Sequence, residues 1–223
     1  MKRTLIRSHG PDGNNVVRGF AAGIKICREL GVSELTLVVP SKGELGTSAV
    51  GAFLKAPAVK RLVNGEAVEL PDEVSLRCES SSTIQKAGIK KALLVFYVDG
   101  EGMKVIDGLP GVDGIVYVPW MEDEGSAWQR QWNATVLGEQ VAPHEPNLDP
   151  RVVTALEALT GSVNLSTGLG HPSDKDHARR MFKELRAQGV PVTPGEVEIW
   201  AVRNKWKPEH AAELRKMAEK LAG

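Results

Sequence analysis

Residues 4–40 read TLIRSHGPDGNNVVRGFAAGIKICRELGVSELTLVVP, and their pattern is strand, loop, helix, strand. Residues 4–7 are extended and apolar at Leu5 and Ile6, and a polar loop follows over residues 8–15. From there Val16, Val17, Phe20, Ile24, Cys27 and Leu30 recur near the 3.6-residue period of a helix, with Arg18, Lys25, Arg28 and Glu29 on its other side. Gly31 ends the pattern. Residues 35–39 are apolar without alternation, as expected of a central parallel strand covered on both faces. Gly19, Ala21, Ala22 and Gly23 are small enough to bring the helix close to the sheet.

Working outward, residues 40–43 form a second strand-to-helix loop, and the helix-like segments 46–54 and 58–63 are broken at Pro57. Residues 67–70 and 74–78 are short strands around Pro71. Ser80, Ser81, Ser82 and Thr83 start a short helix that runs to Ala87 and stops at Gly88. Residues 92–98 are the strongest strand, with Asp99 at its carboxyl end, and residues 114–119 are another buried one. Strands spaced by helix-length segments predict an α/β fold, a doubly wound, mainly parallel sheet of about five strands followed by a C-terminal helical unit.

After Trp120 no further strand is expected. Residues 126–137 read as a helix with Trp128 and Trp132 on one face, ended by Gly138. An α/β domain over residues 1–138 thus gives way to a Pro-rich linker over 139–149 and to helices over 150–223. Asp149-Pro150, Ser173 with Asp176, Thr193 with Glu196, and Pro208 are the expected helix starts.

The chain has 223 residues, 42% of them hydrophobic, enough to bury a full core. Its 28 basic and 28 acidic residues cancel, so no global field draws it to nucleic acid or to an anionic membrane. No stretch approaches the roughly 20 apolar residues of a membrane span, and no signal peptide is evident, which places the protein in the cytoplasm. Cys27 and Cys78 stand apart, without metal-ligand spacing, and read as buried thiols. Neither those thiols nor His171, Asp174 and His177, which do not share a helix face, make a metal site.

In an open parallel sheet, ligands sit in the crevice beyond the carboxyl ends of the strands. His9, Asp12, Ser41, Lys42, Asp99 and Trp120 all follow strands and could share that crevice. There Lys42, Ser41 and the backbone N–H groups of Gly13, Asn14 and Asn15 suit a phosphate. Asp12 and Asp99 suit a ribose or a metal, and His9 suits acid–base work. Against this, Asp12-Gly13 is also a turn dipeptide, an asparagine here is also a helix cap, and Lys42 can be a solvated side chain. A second anion-binding candidate is the loop of Ser166, Thr167, Gly168, Gly170 and Lys175, with hydroxyls, flexible glycines and a charge ahead of a helix. Asp174 and Asp176 in that helix's first turn oppose an anion.

The sequence His9-Gly10-Pro11-Asp12-Gly13-Asn14 is similar, over about ten residues, to the first metal-binding motif of DHH-type phosphoesterases, H-x-x-P-D-x-D after the first strand. It departs in a spacer one residue shorter and in Asn14 where the second aspartate stands. Asp176-His177-Ala178 is the nearest approach to the Asp-His-His triplet. A divergent metal-dependent phosphoesterase is what the resemblance implies.

Two broader readings rest on the residues themselves. One is a domain that binds a phosphorylated or nucleotide-like small molecule at the carboxyl edge of the sheet, with no cofactor specified. The other is a non-enzymatic interaction or assembly protein that meets a protein partner through its Trp-bearing helix and C-terminal helices. A nucleic-acid partner has little support, since the charge of residues 171–223 is only slightly basic.

Overall fold

The structure, a computed structural model, describes residues 1–86, 88 and 91–221. The chain divides into two compact units, Met1–Ala142 and Pro143–Gly223. The first is built on a seven-stranded sheet of order β3-β4-β2-β5-β6-β1-β7. Its strands are β1 (Lys2–Leu5), β2 (Glu34–Val39), β3 (Val68–Leu70), β4 (Val74–Ser80), β5 (Ala92–Phe96), β6 (Gly114–Val118) and β7 (Thr135–Val136). All neighbours are parallel except β3 and β4, which pair antiparallel at one edge. Every residue of β5 and β6 is buried, the signature of central strands covered on both faces.

One face is covered by α1 (Gly13–Leu30) and α2 (Ala49–Val63), whose Phe20, Ile26, Val50 and Leu62 pack with Leu35, Leu37, Leu94 and Phe96. The other is covered by α3 (Gly100–Asp107) and α4 (Glu122–Trp132), whose Met103, Ile106 and Trp128 pack with Leu5, Leu93, Ile115 and Tyr117. The small residues of α1 act as the sequence suggests. A Cβ on Gly19 would lie 2.6 Å from Phe96 Cζ, and one on Gly23 would lie 2.8 Å from Leu35 Cδ2.

Several local expectations need correction. The sheet has seven strands rather than about five: the short edge strand β3 falls within the strand expected over 67–70, and the strand without a sequence signal is β7, only two residues long. The Trp-bearing helix spans Glu122–Trp132 and not residues 126–137; Asn133, at φ 50°, turns the chain out of it, and Thr135 and Val136 then pair with Thr4 and Leu5. Its acidic first turn, Glu122 to Glu124, complements the positive end of the helix, a start signal that the apolar pattern alone does not show. Asp12, rather than Asn14 or Asn15, caps α1.

The break in α2 falls at Lys55 (φ 67°), two residues before Pro57, so the proline sits in the first turn of the resumed helix where its missing N–H costs nothing. A 3₁₀ turn over Ile84–Lys86 stands where a helix to Ala87 was expected, and Ala87 itself lies outside the described residues.

The second unit holds α5 (Pro150–Ser162), α6 (Pro172–Ala187), α7 (Pro194–Arg203) and α8 (Pro208–Leu221), around Leu156, Leu159, Phe182, Leu185, Val197 and Leu214. Asp149 caps α5 as expected. For α6 the cap is His171 rather than Ser173, its Nδ1 facing the Ser173 N–H at 3.3 Å. The Thr193 side chain makes no capping bond, and the Glu196 carboxylate, the other half of the expected capping box, is taken by His144 Nε2 at 2.9 Å and the Asn147 N–H at 3.2 Å. Those bonds fasten part of the Pro-rich segment to α7. Among the described residues no helix is long and apolar enough to cross a membrane.

Cys27 and Cys78 are buried and unpaired, and burial pushes both thiols up to about 11. Since the thiolate is the reactive form, native protein at pH 8 is expected to leave both unmodified by a thiol reagent, while denatured protein reacts at two sites. Fast modification of either in the native state would contradict the burial argument.

Candidate functional site

The connections that leave the neighbouring strands β2 and β5 diverge. The chain after β2 leads to α2 on one face, and the chain after β5 leads to α3 on the other. Divergence of this kind opens a crevice at the carboxyl edge. Several loops meet there. The Gly10 N–H donates to the Trp120 carbonyl at 2.8 Å, tying the loop after β1 to the end of β6. The Ser81 N–H donates to the Val39 carbonyl at 2.9 Å and its hydroxyl to the Pro40 carbonyl at 3.5 Å, tying the end of β4 to the end of β2. Ser81 also approaches Gly102 beside Asp99, so His9, Asp12, Ser41, Lys42, Asp99 and Trp120 all belong to one edge of the sheet.

Their side chains are engaged to different degrees. Asp12 Oδ1 accepts from the Asn14 N–H at 2.8 Å, which consumes one of the donors at the start of α1. Asp99 Oδ1 likewise accepts from the Gly102 N–H at 2.8 Å and caps α3. Lys42 Nζ lies 3.1 Å from Glu79 Oε2, a carboxylate that also accepts from the Thr83 hydroxyl at 2.8 Å. Its charge is therefore shared, yet the side chain stays about a quarter exposed. The Ser41 hydroxyl makes no capping bond, and His9 is exposed. Asn15 is buried; its Oδ1 accepts from Arg18, whose guanidinium also donates to the Leu137 carbonyl.

The residue that the sequence does not reveal is Tyr97. β5 stops at Phe96, and Tyr97 takes a left-handed backbone at φ 60°, a region that costs a non-glycine residue roughly 1–2 kcal/mol. Such strain gathers at ligand sites. The Tyr97 hydroxyl is buried without a hydrogen-bond partner; the Asp12 N–H faces it without forming a well-shaped bond. Burial, opposed in part by that N–H, holds the phenol above its ordinary value. The ring meets Trp120 edge-to-face, centroids 5.1 Å apart at 88°, and Trp120 is 43% exposed. A tyrosine inside an apolar run carries no mark of left-handed geometry, so the sequence singles out only Trp120 of this pair.

The second candidate loop lies in the other compact unit, and its polar groups are largely used locally. Asn164 Oδ1 accepts from both the N–H and the hydroxyl of Ser166, and the Thr167 hydroxyl donates to the Asn164 carbonyl. Gly168, at φ 55°, sits where a Cβ would come 2.3 Å from the His210 ring, and the Gly170 N–H donates to the Thr167 carbonyl. Lys175 pairs with Glu213 at 2.7 Å.

Trp128 and Trp132 serve packing. Both indole N–H groups donate to Asp107 Oδ2, at 2.8 and 2.9 Å, and the Arg3 guanidinium lies 3.6 Å over the Trp132 ring. Trp128 is buried, and so offers no surface to a partner. Among the described residues no three His, Cys, Asp or Glu side chains converge as metal ligands, so the phosphoesterase resemblance finds no donor set around His9 and Asp12.

The N-terminal unit is thus a doubly wound α/β sheet whose strand-end loops gather at its carboxyl edge, and among the described residues the C-terminal unit is a set of four helices. Residues 148–223, less than half of the chain and almost all of its second unit, match a domain of unknown function (DUF1889). Comparison with curated proteins and with solved structures gives no match.

Proposed function

We propose that the N-terminal unit binds a small phosphorylated molecule at the carboxyl edge of its sheet, with the anion held at the turn that follows β2. The divergence of β2 and β5 carries this reading, since connections that part in this way open a crevice in sheets of this class, and loops from five strands bring polar groups to this edge. Ser41 offers a hydroxyl and Lys42 a partly exposed ammonium. The Gly13 and Asn15 N–H groups lie at the start of α1, where the Asp12 carboxylate offsets their pull on an anion. Asp12 and Asp99 are helix caps, and His9, exposed at the same edge, is the group left for proton transfer if the bound molecule reacts.

A thermal-shift panel of phosphate monoesters tests this. A ligand present at about 100 times its Kd adds about 2.7 kcal/mol, a readily measured rise in Tm. That rise is expected to shrink in Lys42→Ala, which is designed to remove charge from an exposed turn without opening the core. Absence of any shift across the panel would sink the proposal, and the assembly reading would then be the one to pursue.

A further inference from the structure

The geometry points to a nucleoside monophosphate as the ligand class, its base stacked on Trp120 beside Tyr97 and its phosphate at the Ser41–Lys42 turn. This inference rests on the anion site proposed above and adds the ring.

Three observations support it. First, Trp120 is 43% exposed although its backbone is fixed by the Gly10 N–H at 2.8 Å. The Tyr97 contact, at 88°, sets one ring's edge against the other's face and leaves much of the indole open. Exposed aromatic faces of this kind stack bases with little regard to their identity. Among the described residues none accepts from the indole N–H, so it can donate to a ring-edge acceptor.

Second, the Tyr97 hydroxyl is an unsatisfied buried donor held by a strained backbone, and the segment that covers it contains Asp12. That segment follows Gly10, whose N–H is bonded to the Trp120 carbonyl, so the hydroxyl, the Asp12 segment and the Trp120 ring lie together at this end of the edge.

Third, the charges fix the direction in which the ligand lies. The Asp12 carboxylate beside Tyr97 repels an anion, so the neutral ring belongs at the Tyr97 end and the phosphate at the Lys42 end. β2 and β6 flank β5, so the two ends are separated by about two strand spacings, roughly 10 Å, a span that a mononucleotide bridges and inorganic phosphate does not.

Isothermal titration of the full chain with the four common nucleoside 5′-monophosphates, ribose 5-phosphate and adenosine tests this. At least one nucleotide is expected to bind tenfold or more tightly than ribose 5-phosphate. Trp120→Leu should abolish that margin while leaving ribose 5-phosphate affinity unchanged, Trp120→Phe should restore part of it, and Tyr97→Phe should weaken the nucleotide alone by threefold or more. Circular dichroism of each variant establishes that it is folded.

Equal affinity for nucleotides and ribose 5-phosphate, unaffected by Trp120→Leu, would overturn the ring and leave the phosphate site standing. Adenosine binding as tightly as AMP would overturn the phosphate site instead, and with it the nucleotide class. No binding by any compound would overturn both.

Discussion

Replacing Asp107 with alanine is expected to cost the N-terminal unit about 3–5 kcal/mol, the penalty for removing one partner of a buried ion pair. Asp107 closes a cluster. Its Oδ1 accepts from Arg3 Nε at 3.2 Å and its Oδ2 from the two indoles of Trp128 and Trp132, while its side chain is 2% exposed. Without it the Arg3 guanidinium, only 13% exposed, keeps its charge and loses its counter-ion, and two indole N–H groups lose their acceptor. A cost of that size lowers Tm by on the order of 10 °C in a domain this large.

The dependence on pH has a definite sign. Burial pushes the Asp107 carboxyl above its ordinary value, and Arg3 and the indoles pull back only part of that shift. The folded state therefore holds the proton more readily than the unfolded chain, and the contribution of Asp107 to stability grows as pH falls through the window from its folded to its unfolded value. In denaturant melts, the stability gap between wild type and Asp107→Ala should widen as pH is lowered through that window, which lies above the usual carboxylate value. A gap that narrows instead would show that the Arg3 ion pair outweighs burial.

This cluster also shows what can be read from the sequence alone and what cannot. The spacing of Trp128 and Trp132 places them on one helix face, but their shared acceptor comes from α3, and its cation from β1 at the start of the chain. Nothing local announces that meeting. By contrast the apolar runs of β2, β5 and β6 are legible, because a strand buried on both faces has no polar side to interrupt it. Short edge strands fail for the converse reason: Thr135 and Val136 make two pairings with β1 and leave no periodicity to detect.

The candidate site divides in the same way. That Ser41, Lys42 and Asp99 follow strands is a property of the sequence, and so is their arrival at one edge once the sheet is parallel. Their remaining freedom to bind depends on partners distant in the chain. Lys42 meets Glu79 from β4, and the Tyr97 hydroxyl lies under the segment around Asp12. Charge sharing of this sort is invisible until strand order is known, because β2 and β4 become neighbours only after the chain has passed through α2 and β3.

In the C-terminal unit the largest effect is expected at Trp206, which is 2% exposed and whose indole N–H donates to the Thr160 hydroxyl of α5 at 2.9 Å. Lys205, at φ 71°, turns the chain out of α7, and the Trp206 N–H then returns to the Ala201 carbonyl at 3.1 Å, so the side chain is delivered inward by the stop of one helix just before α8 begins. Trp206→Ala leaves a cavity under that turn and is expected to cost about 3–5 kcal/mol, a large share of the stability of so small a unit. Trp206→Phe separates the two contributions. It keeps much of the apolar volume and loses the bond to Thr160, worth about 1 kcal/mol net, so it should lie well above the alanine variant in chemical denaturation. The two variants unfolding at the same denaturant concentration would mean that the indole's hydrogen bond, and not its packing, holds the α7–α8 turn against α5.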